Sequence, residues 1–296
     1  MQLIKIKGNT YYIDAPTNIG VYVFKNKTCL LIDTGIDNSQ AAKIDEIIKE
    51  NGLHPRYIIN THTHTDHCGG NNYFKKNYPG CVVYASEEEK IFLEHPDLHN
   101  TILFSASPLK QLGKTSKNGG VDFILEYGTL RLDEKRLEIY ALPGHTADHI
   151  GVVTPENVCF CGDALFSENI MNKYSLPNLF DIESSRSTLA FIKNIETDFF
   201  VIGHMEGFID REEAVKLAEA NLENINTFEE QILELLEQPL TREDLLENIA
   251  VLNDLILDFK EYHLAFGTIS AFIKYMCERH SITFTIENGK LYYFKA

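Results

Sequence analysis

Two kinds of hydrophobic pattern alternate along the first two hundred residues. Short runs rich in β-branched and aromatic residues, bounded by polar turns, predict strands. Ile44, Ile47 and Ile48 recur at helical spacing and predict a helix, for which Asn38 or Ser39 can serve as the N-cap. This strand-then-helix order is typical of layered α/β folds. The predicted strands cover residues 3–7, 11–14, 21–24, 29–33, 57–60, 82–85, 123–126, 130–132, 137–141, 150–153, 158–161 and 199–202.

Further helices are predicted at residues 87–94 and 187–195. Between residues 95 and 120 the pattern is lost, and two prolines and three glycines interrupt the stretch. A segment of this length without periodicity is typical of a lid or a disordered loop. Lys110, Lys114 and Lys117 within it are candidates for attracting an anionic substrate, although a solvated charged loop is the simpler interpretation.

The pattern changes again at Arg211. A stripe of apolar residues runs through a Glu-rich segment and predicts one long amphipathic helix over 211–238, which Pro239 ends. Helices are then predicted from Thr241 and over 268–279, followed by a hairpin with an Asn288-Gly289 type I′ turn. Helices followed by a hairpin resemble a winged-helix module. The predicted organisation is therefore a large α/β domain at 1–210, the long helix at 211–238 and a winged-helix-like domain at 239–296.

Composition and charge narrow the functional class. The 296 residues are 44% hydrophobic and 24% charged, as in an ordinary globular protein, and 27 basic against 43 acidic residues give a net charge of −16. A negative surface repels phosphate backbones, so nucleic acid is not expected as a partner. No window approaches the ~18 apolar residues of a membrane-spanning helix, and the first residues lack signal-peptide features. We expect a cytoplasmic protein without a membrane partner.

Four potential metal ligands lie within six residues directly after a predicted strand, in the motif His62-x-His64-x-Asp66-His67. Imidazole nitrogens and carboxylate oxygens bind Zn²⁺, Fe²⁺ and Mn²⁺, and crowding them without a metal would bury polar groups at a cost in free energy. The intervening threonines favour an extended backbone, which would direct alternate side chains to one side. The motif therefore predicts a metal centre.

Further histidines and aspartates stand at other predicted strand ends. They belong to Pro143-Gly144-His145-Thr146, Cys161-Gly162-Asp163 and Gly203-His204, and an earlier strand runs into Leu31-Ile32-Asp33-Thr34-Gly35. Taken together, these motifs resemble the metallo-β-lactamase superfamily over about residues 1–207. The resemblance implies an α/β fold, the αββα metallo-β-lactamase sandwich, here with a C-terminal helical and winged-helix-like extension.

The resemblance also implies the roles of individual residues. One metal ion is assigned to His62, His64 and His145, and a second to Asp66, His67 and His204. Asp163 bridges the two ions, Asp33 orients a ligand, and Asp66 has a catalytic role in holding the proton of a metal-bridging hydroxide. Two divalent ions are implied, with zinc as the first choice and iron or manganese as alternatives.

Within the superfamily, the carboxylate at Asp163 argues against β-lactamase activity. The stretch from His145 to Ile150 resembles glyoxalase II-like thioesterases and the branch of β-lactamase-like protein 2, so we expect a binuclear hydrolase of a small thioester or ester. Three alternatives stay open: a phosphodiesterase or RNase of the same fold, a mono-iron oxidoreductase resembling persulfide dioxygenase, and a non-catalytic metal-dependent binding module. The C-terminal region is a candidate homodimer surface, since Thr241 to Ala296 carries six basic and eight acidic residues and thus no nucleic-acid footprint.

Some residues with chemical potential have simpler interpretations. Cys68 and the Cys159-Phe160-Cys161 run are expected to pack in the core. His149 can assist acid–base chemistry, although a structural role is the simpler one. The remaining histidines belong to no motif and are expected to lie on the surface or in loops; they are His54, His95, His99, His263 and His280.

Overall fold

Two β-sheets face each other in the computed structural model, which describes residues 1–112 and 119–296. Lys114 and Lys117, singled out above, lie outside the described residues. The first sheet has seven strands in the order β1 to β7. They are β1 (Leu3–Lys7), β2 (Thr10–Ile13), β3 (Ile19–Val23), β4 (Thr28–Ile32), β5 (His54–Ile59), β6 (Val82–Ala85) and β7 (Phe123–Ile124).

The second sheet has six strands in the order β13-β12-β11-β10-β9-β8. They are β8 (Gly128–Leu132), β9 (Lys135–Ala141), β10 (Ile150–Val153), β11 (Val158–Phe160), β12 (Phe199–Val201) and β13 (Ile209–Asp210). Each sheet combines antiparallel and parallel neighbours. The parallel pairs that matter for the site are β4 with β5 in the first sheet and β11 with β12 in the second.

Ten helices flank the two sheets within the described residues. They are α1 (Asn38–Glu50), α2 (Thr65–Cys68), α3 (Asn71–Asn77), α4 (Glu87–Glu94), α5 (Asp97–Phe104), α6 (Glu168–Tyr174), α7 (Ile182–Ile192), α8 (Arg211–Leu235), α9 (Arg242–Leu252) and α10 (Phe259–Glu278). A 3₁₀ turn spans Lys110–Leu112. No helix within the described residues is long and apolar enough to cross a membrane.

Three clusters of buried side chains separate four layers. Residues of both sheets, such as Leu30 and Val152, pack together between them. Residues of α1 and α3 pack on the outer face of the first sheet, including Ile44 and Phe74. The outer face of the second sheet packs against α7 to α10. Helix, sheet, sheet and helix thus follow in order, and the predicted αββα sandwich is confirmed.

The C-terminal helices share their core with the second sheet. Ile225 and Phe228 of α8 and Phe272 of α10 belong to the same buried cluster as Phe200 of β12. The chain ends in a hairpin of β14 (Ile282–Glu287) and β15 (Lys290–Lys295), turning at Asn288-Gly289 as predicted. Classification of this extension as winged-helix-like, and the division of the chain at residue 210, stay predictions.

Several element boundaries differ from the expectation. The stretch expected to be a loop contains α5, which buries no residue completely and therefore shows no hydrophobic periodicity. Helix α10 begins at Phe259 rather than 268, because Asp258 and Glu261 form a capping box there. Helix α1 is capped by Asp37 rather than by Asn38 or Ser39. The long helix predicted over 211–238 is α8, which ends at Leu235, before Pro239.

Close packing around α2 depends on a glycine. A Cβ added to Gly69 would lie 2.0 Å from the Ile36 carbonyl oxygen and 2.6 Å from that of Thr65, both fixed backbone atoms. Gly267, in the exposed face of α10, has no atom within 4 Å of the added Cβ. The two positions therefore respond to alanine in opposite directions.

We expect Gly69→Ala to lower the free energy of unfolding by about 1–3 kcal/mol or more, because the backbone must move to relieve the contact. Gly267→Ala should raise it by ~0.5–1 kcal/mol, because alanine restricts the unfolded chain and favours helix. Urea unfolding of both variants measures the difference. Two shifts of the same sign would contradict this description of the packing.

Candidate metal centre

Strand ends from both sheets converge at one edge of the sandwich. Parallel strands β4 and β5 bring Asp33 and the loop after Ile59 to that edge. Parallel strands β11 and β12 bring Asp163 and His204 there from the second sheet. Backbone hydrogen bonds join the two sides, from Ile150 N–H to the Thr61 carbonyl (2.9 Å) and from Asn18 N–H to the Gly203 carbonyl (2.8 Å). The separated sequence motifs therefore form one cluster.

Asp33 anchors the loop that carries the first motif. Its carboxylate accepts hydrogen bonds from the backbone N–H and the hydroxyl of Thr61, both at 2.8 Å, and lies 2.8 Å from Nδ1 of His67. Asp33 adopts a left-handed backbone conformation with φ of 66°, which is uncommon for a residue with a side chain. These three contacts hold a strained residue in place, in agreement with the expectation that Asp33 orients a neighbour.

The loop does not stay extended as the threonines suggested. After His64 the chain turns into α2, so Asp66 and His67 follow each other along a helix rather than along a strand. Successive helical residues point about 100° apart, which lets these two side chains approach the site from different directions. The expectation of simple alternation was wrong beyond His64.

His62, His64 and His145 form the first group of donor atoms. Nδ1 of His64 lies 3.1 Å from Nε2 of His62 and 2.8 Å from Nε2 of His145. Imidazole nitrogens of these three residues lie within 4.8 Å of one another. Their geometry suits a single ion bound by three imidazoles.

Asp66, His67 and His204 form the second group, whose donor atoms also lie within 4.8 Å of one another. Nε2 of His204 is 3.0 Å from Oδ2 of Asp66, and Nε2 of His67 is 3.7 Å from the same oxygen. Asp66 is the most exposed of the three, with 32% of its side chain accessible. The second group therefore opens toward solvent through Asp66.

Asp163 lies between the two groups. Its Oδ1 is 3.4 Å from Nε2 of His67, while its Oδ2 is 3.6 Å from Nε2 of His145 and 3.4 Å from Nε2 of His204. One carboxylate thus faces both groups. All seven residues singled out from the sequence meet at this site.

Main-chain carbonyls fix the orientation of two rings. Nδ1 of His145 lies 2.8 Å from the carbonyl oxygen of Asn178, and Nδ1 of His204 lies 2.9 Å from that of Pro16. A ring that donates from Nδ1 to a carbonyl directs its Nε2 at the site, where a metal ion binds it once that nitrogen has lost its proton. Sequence reasoning missed Asn178 and Pro16, because a backbone carbonyl leaves no signal in the residue type.

The electrostatics of the two groups differ. Burial, together with neighbouring imidazoles, lowers the pKa of His62 and of His64, and burial also lowers the pKa of His145. These three imidazoles are neutral, as metal ligands must be.

The second group instead contains charged histidines and carboxylates. Burial opposes protonation of His204, but hydrogen bonds to Asp163 and Asp66 outweigh it and raise its pKa to about 10. In the same way Asp163, Asp33 and Asp66 overcome burial and raise the pKa of His67. Burial alone would raise the pKa of Asp66 and of Asp163, but the charges of His67 and His204 hold both well below their usual range.

The donor set fits divalent metal ions. Nε2 of His67 is completely buried, faces Asp163 and Asp66, and forms no hydrogen bond. A buried imidazole nitrogen that faces two carboxylates without a hydrogen bond to either is placed to bind a cation together with them. Imidazole and carboxylate donors are those that Zn²⁺, Fe²⁺ and Mn²⁺ accept.

Glu89 joins the two loops of the first group. This buried residue of α4 accepts hydrogen bonds from the hydroxyls of Thr63 and Thr146, which each neighbour a clustered histidine. Burial raises its pKa. Sequence reasoning missed Glu89, since a single acidic residue in a Glu-rich helix carries no signal.

His99 was wrongly expected to be a surface or loop residue. It belongs to α5, its Nε2 lies 3.2 Å from the Thr63 hydroxyl, and its ring centroid is 5.7 Å from that of His64. His149 stacks on His62 with centroids 4.8 Å apart, and its Nε2 accepts a hydrogen bond from the backbone N–H of Asp163 at 3.2 Å. His149 therefore supports the backbone of Asp163 from behind the site.

The cysteines pack as expected. Cys68, Cys159 and Cys161 are fully buried and form no disulfide. Burial raises the pKa of each thiol, which keeps it protonated and chemically inert.

Comparison with known sequences identifies the family of the chain. The family model of the Metallo-beta-lactamase superfamily matches residues 12–204. A hydroxyacylglutathione hydrolase of Legionella pneumophila (strain Corby) is 31% identical over 148 residues, covering 50% of this chain and 48% of that protein. One from Pectobacterium carotovorum is 27% identical over 143 residues, covering 48% and 45%. The chain spans about half the length of the curated relatives it matches.

Solved structures extend the likeness of fold to almost the whole chain. A metallo-beta-lactamase family protein from Thermus thermophilus has a TM-score of 0.75 at 22% identity, covering 97% of this chain and 99% of that one. A beta-lactamase domain protein from Burkholderia ambifaria has a TM-score of 0.75 at 15% identity, covering 99% and 93%. At such identities the likeness concerns the fold alone. With a family match over most of its length and the motifs gathered at one sheet edge, the chain belongs to the metallo-β-lactamase superfamily.

Proposed function

We propose that the seven clustered side chains hold two divalent metal ions and that the chain is a metallohydrolase of a small thioester or ester. The position of Asp163 carries this proposal, because its two oxygens face the His145 and His67 groups at 3.6 and 3.4 Å. A carboxylate in that position suits a bridge between two ions. Zinc is the first choice of metal, and iron or manganese are alternatives that the same ligands accept.

Two bound ions would supply a water of lowered pKa and would polarise the carbonyl that it attacks. The polypeptide contributes orientation and proton handling. Asp66 is the proposed proton acceptor at Oδ2, since it is the most accessible carboxylate of the site. The Thr17 hydroxyl, 3.3 Å from that oxygen, helps to fix its direction.

The substrate class rests on the relatives and on charge. The matched curated proteins are named hydroxyacylglutathione hydrolases, and this supports a thioester for the present chain. A net charge of −16 disfavours a polyanionic substrate such as RNA. We therefore propose a small acyl compound as the substrate and no nucleic-acid partner.

Substitution of the clustered residues tests the proposal directly. We expect Asp66→Ala and His145→Ala each to lower kcat/KM for a thioester by at least ~10²-fold while urea unfolding stays close to that of the wild type. His95→Ala, an exposed histidine outside the cluster, is the matched control and should retain full activity. Full activity in both cluster variants would contradict the metal mechanism.

A substrate panel separates the alternatives in the same experiment. Zinc-, iron- and manganese-loaded protein is assayed with thioesters, phosphodiesters and a persulfide. Thioester turnover supports the proposal. Cleavage of phosphodiesters alone would replace the proposal by a phosphodiesterase or RNase. Oxygen consumption with a persulfide and one bound iron would replace it by a persulfide dioxygenase-like oxidoreductase. No turnover by fully metal-loaded protein would favour a non-catalytic binding module.

Metal binding should release protons. His67 and His204 carry protons in the metal-free protein at pH 7, because their pKa values are raised, to about 10 for His204. An ion needs neutral imidazoles, so binding should release about one to two protons per chain and metal affinity should rise with pH. Calorimetry of Zn²⁺ binding in buffers of different ionisation enthalpy measures this number. His204→Ala should lower it, and binding without proton release would contradict the described electrostatics.

A further inference from the structure

The segment between α6 and α7 reaches the site from behind His145. The Asn178 carbonyl accepts the hydrogen bond from Nδ1 of His145, at 2.8 Å. Just beyond it, the N–H groups of Phe180 and Asp181 donate to the Gly144 carbonyl, at 2.8 and 3.0 Å. The segment therefore fixes both the ring of His145 and the backbone before it.

One hydroxyl from the C-terminal helix α10 contacts the residues on both sides of Asn178. Oγ1 of Thr268 accepts the N–H of Leu179 at 3.1 Å and lies 3.4 Å from the carbonyl oxygen of Pro177. Thr268 is completely buried, and Leu179 is 5% exposed. A continuous series of contacts thus leads from α10 through Asn178 to His145.

A hydroxyl is unexpected at the buried position of Thr268. Its neighbours on the packed face of α10 are apolar, including Ile269 and Phe272. Valine would fill the same volume without burying a polar group, and a buried hydroxyl is tolerated only where it forms hydrogen bonds. The Leu179 N–H would lose its partner if the hydroxyl were absent.

We propose that Thr268 is a positioning residue for His145, which makes the C-terminal extension part of the metal centre. This inference rests on the proposed function, since it assumes that His145 binds metal. Thr268 accepts the N–H of Leu179, this contact fixes the neighbouring Asn178 carbonyl, and the carbonyl sets the direction of the His145 ring. The Thr268 hydroxyl should therefore affect metal binding only at the group of His62, His64 and His145.

The test compares zinc affinities of full-length variants by chelator competition. Thr268→Val removes the hydroxyl at constant volume, Thr268→Ser retains it, and Thr227→Val removes an exposed hydroxyl of α8 as the control. Groups bonded directly to a metal-binding histidine change affinity 10–100-fold, so we expect about a three- to tenfold loss for this more distant residue. Two zinc ions should bind in two steps, one for each group of ligands. Thr268→Val should weaken the step that His145→Ala abolishes and should leave the affinity of the other step unchanged.

Rescue distinguishes positioning from packing. Thr268→Ser should bind zinc as the wild type does, and Thr227→Val should do the same. If Thr268→Val does not fold, Thr268→Ala is compared with Thr268→Ser, a pair that differs only by the hydroxyl. Unchanged affinity in the variant without the hydroxyl, or an equal loss in the serine variant, would overturn the inference alone. Absence of zinc binding by the wild-type protein would overturn the proposed function together with it.

Discussion

The site depends on parallel strand pairing in both sheets. Neighbouring parallel strands end at the same edge, so β4 with β5 and β11 with β12 deliver four chain segments to one place. The hydrogen bond from Ile150 N–H to the Thr61 carbonyl then ties the first sheet's loop to the second sheet. Residues as distant in sequence as Asp33 and His204 become neighbours through this pairing.

Burying so many polar side chains requires compensation. Asp33 and Asp163 are almost completely buried, and in the metal-free protein protons on His67 and His204 balance the carboxylate charge. Cations bound at the same place would replace those protons. The raised pKa values of these imidazoles, and the buried Nε2 of His67 that faces two carboxylates without a hydrogen bond, mark where ions would bind.

Side-chain motifs made the fold and the cluster predictable from the sequence. His62, His64, Asp66 and His67 are recognisable by their spacing, and the strands carry clear hydrophobic runs. What could not be predicted has no residue-type signal. The Asn178 carbonyl is a backbone group, α5 buries no residue completely, and the first turns of α10 before Ala265 contain no buried residue that would extend the periodicity. The turn of α2 was missed because β-branched threonines favour extended backbone locally, whereas the folded chain turns there and packs Gly69 closely against Ile36.

The central claim is that one carboxylate joins two metal-binding groups. Anomalous diffraction from crystals of the zinc-loaded protein, recorded on both sides of the zinc absorption edge, tests it most directly. The account predicts two peaks roughly 3.5–4 Å apart, one beside His62, His64 and His145 and one beside Asp66, His67 and His204, with Asp163 between them. A single peak at full loading, or peaks away from these side chains, would contradict it.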